Sequence, residues 1–303
     1  MSVESFHGWP TKMPVGHIAY VNGRYLPLAH AGVHIEDRAL QFADGIYEVV
    51  GVLDGLVLDE EHHLDRLERS VGEIGMAMPM PRAPLKLVIR EMARRNRIVD
   101  GLIYMQVTRG AYRRDHAIPV HATRPTLIMT ARPISRRAVE DRREKGVAVI
   151  TRPDQRWARC DIKSTALLPN ILAKTEARNV GAFEAWLIDR DGFVTEGSST
   201  SAWIVDKAGN IVTRDLSHAI LPGVTRREIM DAAAEAQIAI VERKFTLADV
   251  LAAKEAFVTA ATLGATPVVA VDGHPVGDGK PGPVARRLQD LYLRRAEKLA
   301  CSP

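Results

Sequence analysis

Short alternating runs of apolar and polar residues, closed by glycine turns, open this chain, and apolar residues at helical spacing follow them. Residues 17–21 and 24–26 flank Asn22-Gly23, a dipeptide suited to the left-handed backbone of a two-residue hairpin turn. Residues 47–53 and 56–58 repeat the arrangement around Asp54-Gly55. Leu64, Leu67, Val71 and Ile74 then recur at the spacing of one helix face, which predicts a helix over 61–74. Residues 85–97 predict a second, with Leu87, Val88 and Met92 and a basic C-terminal end at Arg94-Arg95. Strands at 102–108 and 126–131 flank a loop over 109–124. Pro133 breaks the pattern, and 132–138 reads as a linker.

Beyond it the pattern predicts strands at 147–151, 184–189, 193–195, 201–205, 210–213, 255–259 and 268–271. Helices are expected at 167–179, 226–236 and 284–299. Hairpins with inserted helices, rather than strict β-α-β alternation, indicate an α+β protein. Residues 1–16 read as an irregular extension, 17–135 as a small N-terminal domain, and 136–303 as a larger C-terminal domain.

The 303 residues suffice for one large or two moderate cores, and 46% hydrophobic with 26% charged residues is ordinary for a globular protein. A net charge of +4 among 41 basic and 37 acidic groups, with no basic block interleaved with aromatics, argues against nucleic-acid binding. Arg136-Arg137 and Arg142-Arg143-Glu144-Lys145 read as a solvated helix face. Cys160 and Cys301 have no metal-like spacing, nor do His34, His62, His121 and His218, so no metal is expected. Cys160 reads as a reduced, apolar thiol in a strand. The N-terminus has no basic-then-apolar signal and no apolar run reaches membrane length, so a soluble cytoplasmic protein is expected, with no membrane partner.

Two runs carry candidate chemistry. Lys163 lies in Arg159-Cys160-Asp161-Ile162-Lys163-Ser164, beside the apolar Ile162 and Leu167-Leu168. Glu196 lies 33 residues later, in Val194-Thr195-Glu196-Gly197-Ser198-Ser199. A surface lysine and a turn carboxylate are the plain alternatives. A desolvated lysine is instead available as a neutral amine that can hold an aldehyde as a Schiff base. A carboxylate facing a pyridine nitrogen keeps it protonated, so that the ring accepts electrons from a substrate Cα. The pair therefore suits pyridoxal phosphate.

From about residue 19 to about 291 the chain resembles the fold-type IV pyridoxal-phosphate enzymes. Within that family it is most similar to the D-amino acid transaminases. The resemblance rests on Asp44-Gly45-Ile46-Tyr47-Glu48-Val49-Val50, Gln106-Val107-Thr108-Arg109-Gly110, Cys160-Asp161-Ile162-Lys163-Ser164 and Thr195-Glu196-Gly197-Ser198-Ser199, in order and at family spacing. It implies a small α/β domain followed by a larger pseudo-barrel domain that binds the cofactor. It places the Schiff base and the proton shuttle on Lys163, and the contact to the ring nitrogen on Glu196. Arg66 would clamp the phosphate, the Val224 amide and Thr225 would cradle it, and Leu221 would pack on the ring. Ala260-Ala261 stands where relatives carry a hydroxyl or a glycine-threonine pair, so backbone amides or Thr262 would serve there.

Tyr47, Arg114 and His116 match a trap for the substrate α-carboxylate, with Arg113 an alternative register for the arginine. In the family the 109–119 loop reaches the neighbouring subunit's site, which implies a homodimer. Trp157 and Arg159 would shape the pocket; Asp37-Arg38 and Asp44 read as structural. The implied reaction moves an amino group from a D-amino acid to a 2-oxo acid, as in D-alanine with 2-oxoglutarate giving pyruvate and D-glutamate. It would run as two half-reactions through pyridoxamine phosphate. A branched-chain or (R)-amine transaminase, an aminodeoxychorismate lyase and a non-catalytic cofactor-binding protein remain open alternatives.

Overall fold

Asn22 and Gly23 take φ of 46° and 93°, the backbone a tight hairpin turn requires. They fold β1 (Ile18–Val21) onto β2 (Arg24–Pro27), and Asp54-Gly55 does the same for β3 (Gly45–Leu53) and β4 (Leu56–Val57). The computed structural model describes residues 17–120 and 123–300; the expected extension over 1–16, His121 and Cys301 lie outside them. With β5 (Gly101–Thr108) and β6 (Thr126–Pro133) these strands form a six-stranded antiparallel sheet in the order β2-β1-β6-β5-β3-β4.

Three helices belong to this half: α1 (Arg38–Phe42), α2 (Glu60–Glu73) and α3 (Arg82–Arg95). Leu64, Leu67 and Val71 of α2 and Leu85, Ile89 and Met92 of α3 bury against Ile46, Val50, Ile103 and Met105 of the sheet. Each such side chain contributes roughly 1.5–3 kcal/mol through its burial. The two-residue period of β3 puts Ile46, Glu48 and Val50 on this covered face. Tyr47 and Val49 are half-buried and face the other way.

The expected 132–138 linker is shorter in the structure. β6 carries on through Pro133 as an edge of its pairing with β5, and Ser135 already caps α4 (Arg136–Lys145) by accepting from the Ala138 amide at 3.3 Å. Beyond α4 lie β7 (Val147–Pro153), α5 (Leu168–Asn179), β8 (Glu184–Ile188), β9 (Val194–Gly197), β10 (Ser201–Val205) and β11 (Ile211–Thr213). They are followed by α6 (Val224–Glu235), β12 (Ile240–Glu242), α7 (Leu247–Leu251), β13 (Glu255–Ala260), β14 (Gly264–Val271), β15 (His274–Pro275) and α8 (Pro283–Ala300). The strands make a nine-stranded mixed sheet ordered β12-β11-β10-β13-β14-β7-β8-β9, with β15 on β14. Only Ser198–Thr200 joins β9 to β10, although four strands separate them in the hydrogen-bonded order, so the sheet curls back towards closure. Trp186, Phe245 and Val258 fill one side; Trp203, stacked on Phe257 at 5.3 Å, packs with α6 and α8 on the other.

Several local expectations change. Cys160 is buried, but in a turn rather than a strand, because this segment pairs only through the single bridge of Ile46 with Ser164. The arginine-rich helix α4 is not uniformly solvated: Arg143 donates to the Leu263 carbonyl, and Arg142 turns inward over the Phe183 ring. The short elements α1, β12, α7 and β15 escape a periodicity reading because they span one turn or two to three residues. Among the described residues no helix is long and apolar enough to cross a membrane.

Gly110 starts the 109–124 loop with φ of 91°, and a Cβ there would lie 2.1 Å from the Arg124 carbonyl oxygen. Gly110→Ala should therefore lose more than about 1 kcal/mol in urea unfolding. An unchanged midpoint would show that the loop does not need this backbone.

Candidate active site

The concave side of the curled sheet and the free face of β3 enclose a cavity of about 470 Å³. Lys163 reaches it from the turn-containing segment that crosses between the two halves. The Tyr47 amide donates to the Lys163 carbonyl at 3.0 Å, the Thr165 amide donates to the Gly45 carbonyl at 2.9 Å, and Ile162 is buried in the N-terminal core. That alternation aims Lys163 at the cavity, where Nζ donates to the Tyr47 hydroxyl at 3.3 Å. Asp161, held by Arg69 and Arg159, anchors the segment from outside.

Glu196 lies on β9, not in a turn, and is buried in the opposite wall. The Leu221 amide donates to its two oxygens at 3.1 and 3.2 Å, and Arg156 makes an ion pair with it. Arg156 also bonds Asp154 at 2.7 Å and the Ala219 carbonyl at 3.1 Å. Burial pushes the Glu196 carboxyl up, and Arg156, the Leu221 amide and Lys163 pull it back only in part. The group therefore gains from any further cation brought beside it. The neighbouring Cys160 thiol is pushed up to about 12 by burial, so it is no nucleophile.

The third wall is an anion cradle. Helix α6 begins at Val224 with no side-chain cap, and its first i→i−4 amide bond comes from Arg227. The amides of Val224, Thr225 and Arg226 thus have no carbonyl one turn back. The Thr225 hydroxyl is buried without a partner. Arg66 approaches from α2 and makes a bidentate pair with Glu48 at 2.7 and 2.8 Å, while its remaining arm donates to the Pro222 carbonyl at 2.9 Å. Three of its five N–H donors are so occupied, and two remain. The β13–β14 turn carrying Ala260, Ala261 and Thr262 closes this side.

Lys163, Glu196, Arg66, Leu221, Val224, Thr225, Ala260, Ala261, Thr262 and Tyr47 thus line one cavity, as does Trp157. Arg114 and His116 do not. They stand on the exposed loop, where Arg38 donates to the Asp115 carbonyl at 2.6 Å and both side chains pack on the Phe42 ring. Asp44 joins Arg38 to Arg109, each at 2.7 Å, and holds the base of that loop.

Residues 45–271 match the amino-transferase class IV family. The chain is also 38% identical over 268 residues to a D-alanine aminotransferase of Bacillus licheniformis, a match covering 88% of this chain and 93% of that one. The chain belongs to the class IV aminotransferases. It is 38% identical over 283 residues to a D-alanine aminotransferase of Listeria monocytogenes, covering 93% of this chain and 96% of that one. In fold it is similar to a T.th. branched-chain amino acid aminotransferase solved with pyridoxamine 5'-phosphate, with a TM-score of 0.85 and 26% identity over 94% and 95% of the two chains. The Escherichia coli branched-chain aminotransferase shares the fold at the same TM-score, 0.85, with 23% identity over 93% of this chain and 95% of that one.

Class IV aminotransferases use pyridoxal phosphate, and three features of this cavity suit it. An amine faces the space for its aldehyde, a buried carboxylate with an unmet need for a cation faces the space for its ring nitrogen, and unpartnered donors suit its phosphate. Glu48, His63 and Arg156 are the functional positions that the sequence reading missed. A signal existed for two of them: Glu48 is an acid on the covered apolar face of β3, and His63 lies three residues before Arg66 on α2.

Burial would raise the Glu48 carboxyl, but the Arg66 charge, its bidentate bond and the His63 bond at 2.8 Å outweigh that and hold it well below the ordinary carboxylate range. Because the folded value is the lower one, Glu48 stabilises the fold above its ordinary value of 4.5 and loses that contribution as pH falls towards the folded value. Glu48→Gln should cost about 3 kcal/mol near neutral pH in urea unfolding. The gap to wild type should narrow between about pH 5 and about pH 3. A gap constant over that range would refute the ionised pair.

Proposed function

We propose that this protein transfers the amino group of a D-amino acid to a 2-oxo acid in two half-reactions. D-alanine with 2-oxoglutarate, giving pyruvate and D-glutamate, is the expected pair. The observation that carries the reading is the placing of the Lys163 amine and the Glu196 carboxylate on facing walls of one cavity, in a chain so similar to D-alanine aminotransferases. When bound, pyridoxal phosphate supplies an electron sink for the bond broken at the substrate Cα.

Lys163 Nζ would take the Cα proton and deliver it to the former aldehyde carbon of the cofactor, on the same side of the cavity. The Tyr47 hydroxyl, 3.3 Å away, orients that amine and offers a donor to the substrate carboxylate. Glu196 holds positive charge at the far wall, and Arg156 with the Leu221 amide keeps its carboxylate from turning away. Thr225, the first amides of α6 and the two free donors of Arg66 fix the phosphate end. Val49 and the half-buried Leu221 shape the space between.

The α-carboxylate trap needs Arg114 and His116 beside Tyr47, and within one chain they stand apart. A homodimer in which the 109–119 loop enters the partner's cavity would complete it. Exposed Tyr112 and Ile118 on the loop itself support such a contact. The free, buried Cys160 is in keeping with a cytoplasmic setting. A branched-chain activity is the competing reading, favoured by the solved folds.

Turnover of D-alanine, L-leucine and a chiral aryl amine by the holoenzyme separates these readings. D-alanine should be the donor used, and activity confined to L-leucine would overturn the proposal. Lys163→Ala should lower the rate by about 10³-fold or more. Borohydride reduction and peptide mapping should place the pyridoxyl label on Lys163 and nowhere else. Glu196→Gln should cut kcat far more than cofactor affinity; an equal loss in both would make it only a binding group.

A further inference from the structure

The cations on the cavity wall divide into two groups. Arg66, Arg156 and Arg226 are engaged with Glu48, Glu196 and Glu242, and Lys174 is engaged with Glu184 at 3.3 Å and with the Phe183 carbonyl. Arg132 and Arg142 also line the cavity, yet among the described residues neither side chain has an ion pair or a hydrogen bond. Arg142 keeps a buried Nε without a partner, although its guanidinium is held in place over the Phe183 ring at 5.6 Å. An unpaired buried donor on a positioned cation costs stability, which suits a site awaiting an anion.

Strand register says where these cations stand. Tyr47, Val49 and Gly51 share the cavity face of β3, and Gly51 pairs with Leu102, which pairs with Arg132. Arg132 therefore marks the end of the cavity, about 13 Å along the sheet and two strands, or about 10 Å, across from Tyr47. Arg142 lines the same cavity from α4 of the other half. Glu184, paired with Lys174 of the cavity lining, has its oxygens taken up by the Ser198 and Ser199 hydroxyls, the Ala185 amide and Lys174. The net charge on offer there is positive.

We infer that Arg142, assisted by Arg132, receives the second carboxylate of a dicarboxylic substrate whose α-carboxylate lies at the Tyr47 end. The inference rests on the amino-transfer reading of the same cavity and adds the residues that would select its dicarboxylic acceptor. A guanidinium gives a terminal carboxylate two parallel donors, and Arg142, Arg132 and Tyr47 line the one cavity that the diacid would occupy. A methyl side chain, as in pyruvate, leaves both cations unpaired.

Two ratios test it on the holoenzyme. The first is kcat/KM for 2-oxoglutarate over that for pyruvate. The second, which needs no turnover, is the affinity for glutarate over that for butyrate by titration calorimetry. Both should exceed one in wild type and fall by about tenfold or more in Arg142→Gln, with a smaller fall in Arg132→Gln and partial retention in Arg142→Lys. Butyrate binding reports that each variant is folded. Ratios within about twofold of wild type in the Arg132→Gln/Arg142→Gln double variant would overturn the inference, as would a wild type without preference for glutarate. If D-amino acids are not turned over while the glutarate ratio behaves as expected, the amino-transfer reading falls and the carboxylate site stands.

Discussion

The buried pair of Glu48 and Arg66 is the constraint on which the site depends. A carboxylate and a guanidinium taken out of water are costly unless every donor and acceptor finds a partner. Here Glu48 accepts from two arms of Arg66 and from His63, and the third arm of Arg66 crosses to the Pro222 carbonyl. That last bond is the important one mechanically. It joins strand and helix of the N-terminal half to the residues that open α6 in the C-terminal half. The anion cradle is thus positioned by the same guanidinium that contributes to it.

The alternation of an extended chain does the rest. On β3, Ile46, Glu48 and Val50 serve the covered core, and Tyr47 and Val49 serve the cavity. The crossing segment repeats this at one remove: Ile162 goes into the core and Lys163 into the cavity. A slip of one residue would bury the lysine and expose the isoleucine, so the core itself enforces the position of the Lys163 amine. The backbone bonds from Tyr47 to Lys163 and from Thr165 to Gly45 lock that register.

Electrostatics then separate the ends of the cavity. At the Glu196 wall a buried carboxylate is only partly compensated; at the α6 wall donors outnumber acceptors. The wall formed by β6 and α4 carries guanidinium groups with nothing to pair with. Each end thereby calls for a different chemical group, and a cofactor with a basic ring nitrogen and a phosphate suits the first two.

Much of this was legible in the chain alone. Asn22-Gly23 and Asp54-Gly55 determine their hairpins because few other residue pairs accept that backbone, and the apolar stripes of α2 and α3 follow from helical spacing. The setting of Lys163 among apolar neighbours, and of Glu196 before Gly197, likewise marked two residues that share one cavity. Tertiary structure decided what depends on residues distant in sequence. Glu48 meets Arg66 across 18 residues and Arg156 meets Glu196 across 40, contacts no local pattern encodes. Arg142 reads as one of several solvated arginines until α4 packs on β14 and turns it inward, while Arg114 and His116 stay with Phe42, away from Tyr47. Local periodicity reports which face of an element is apolar; only packing reports what the other face meets.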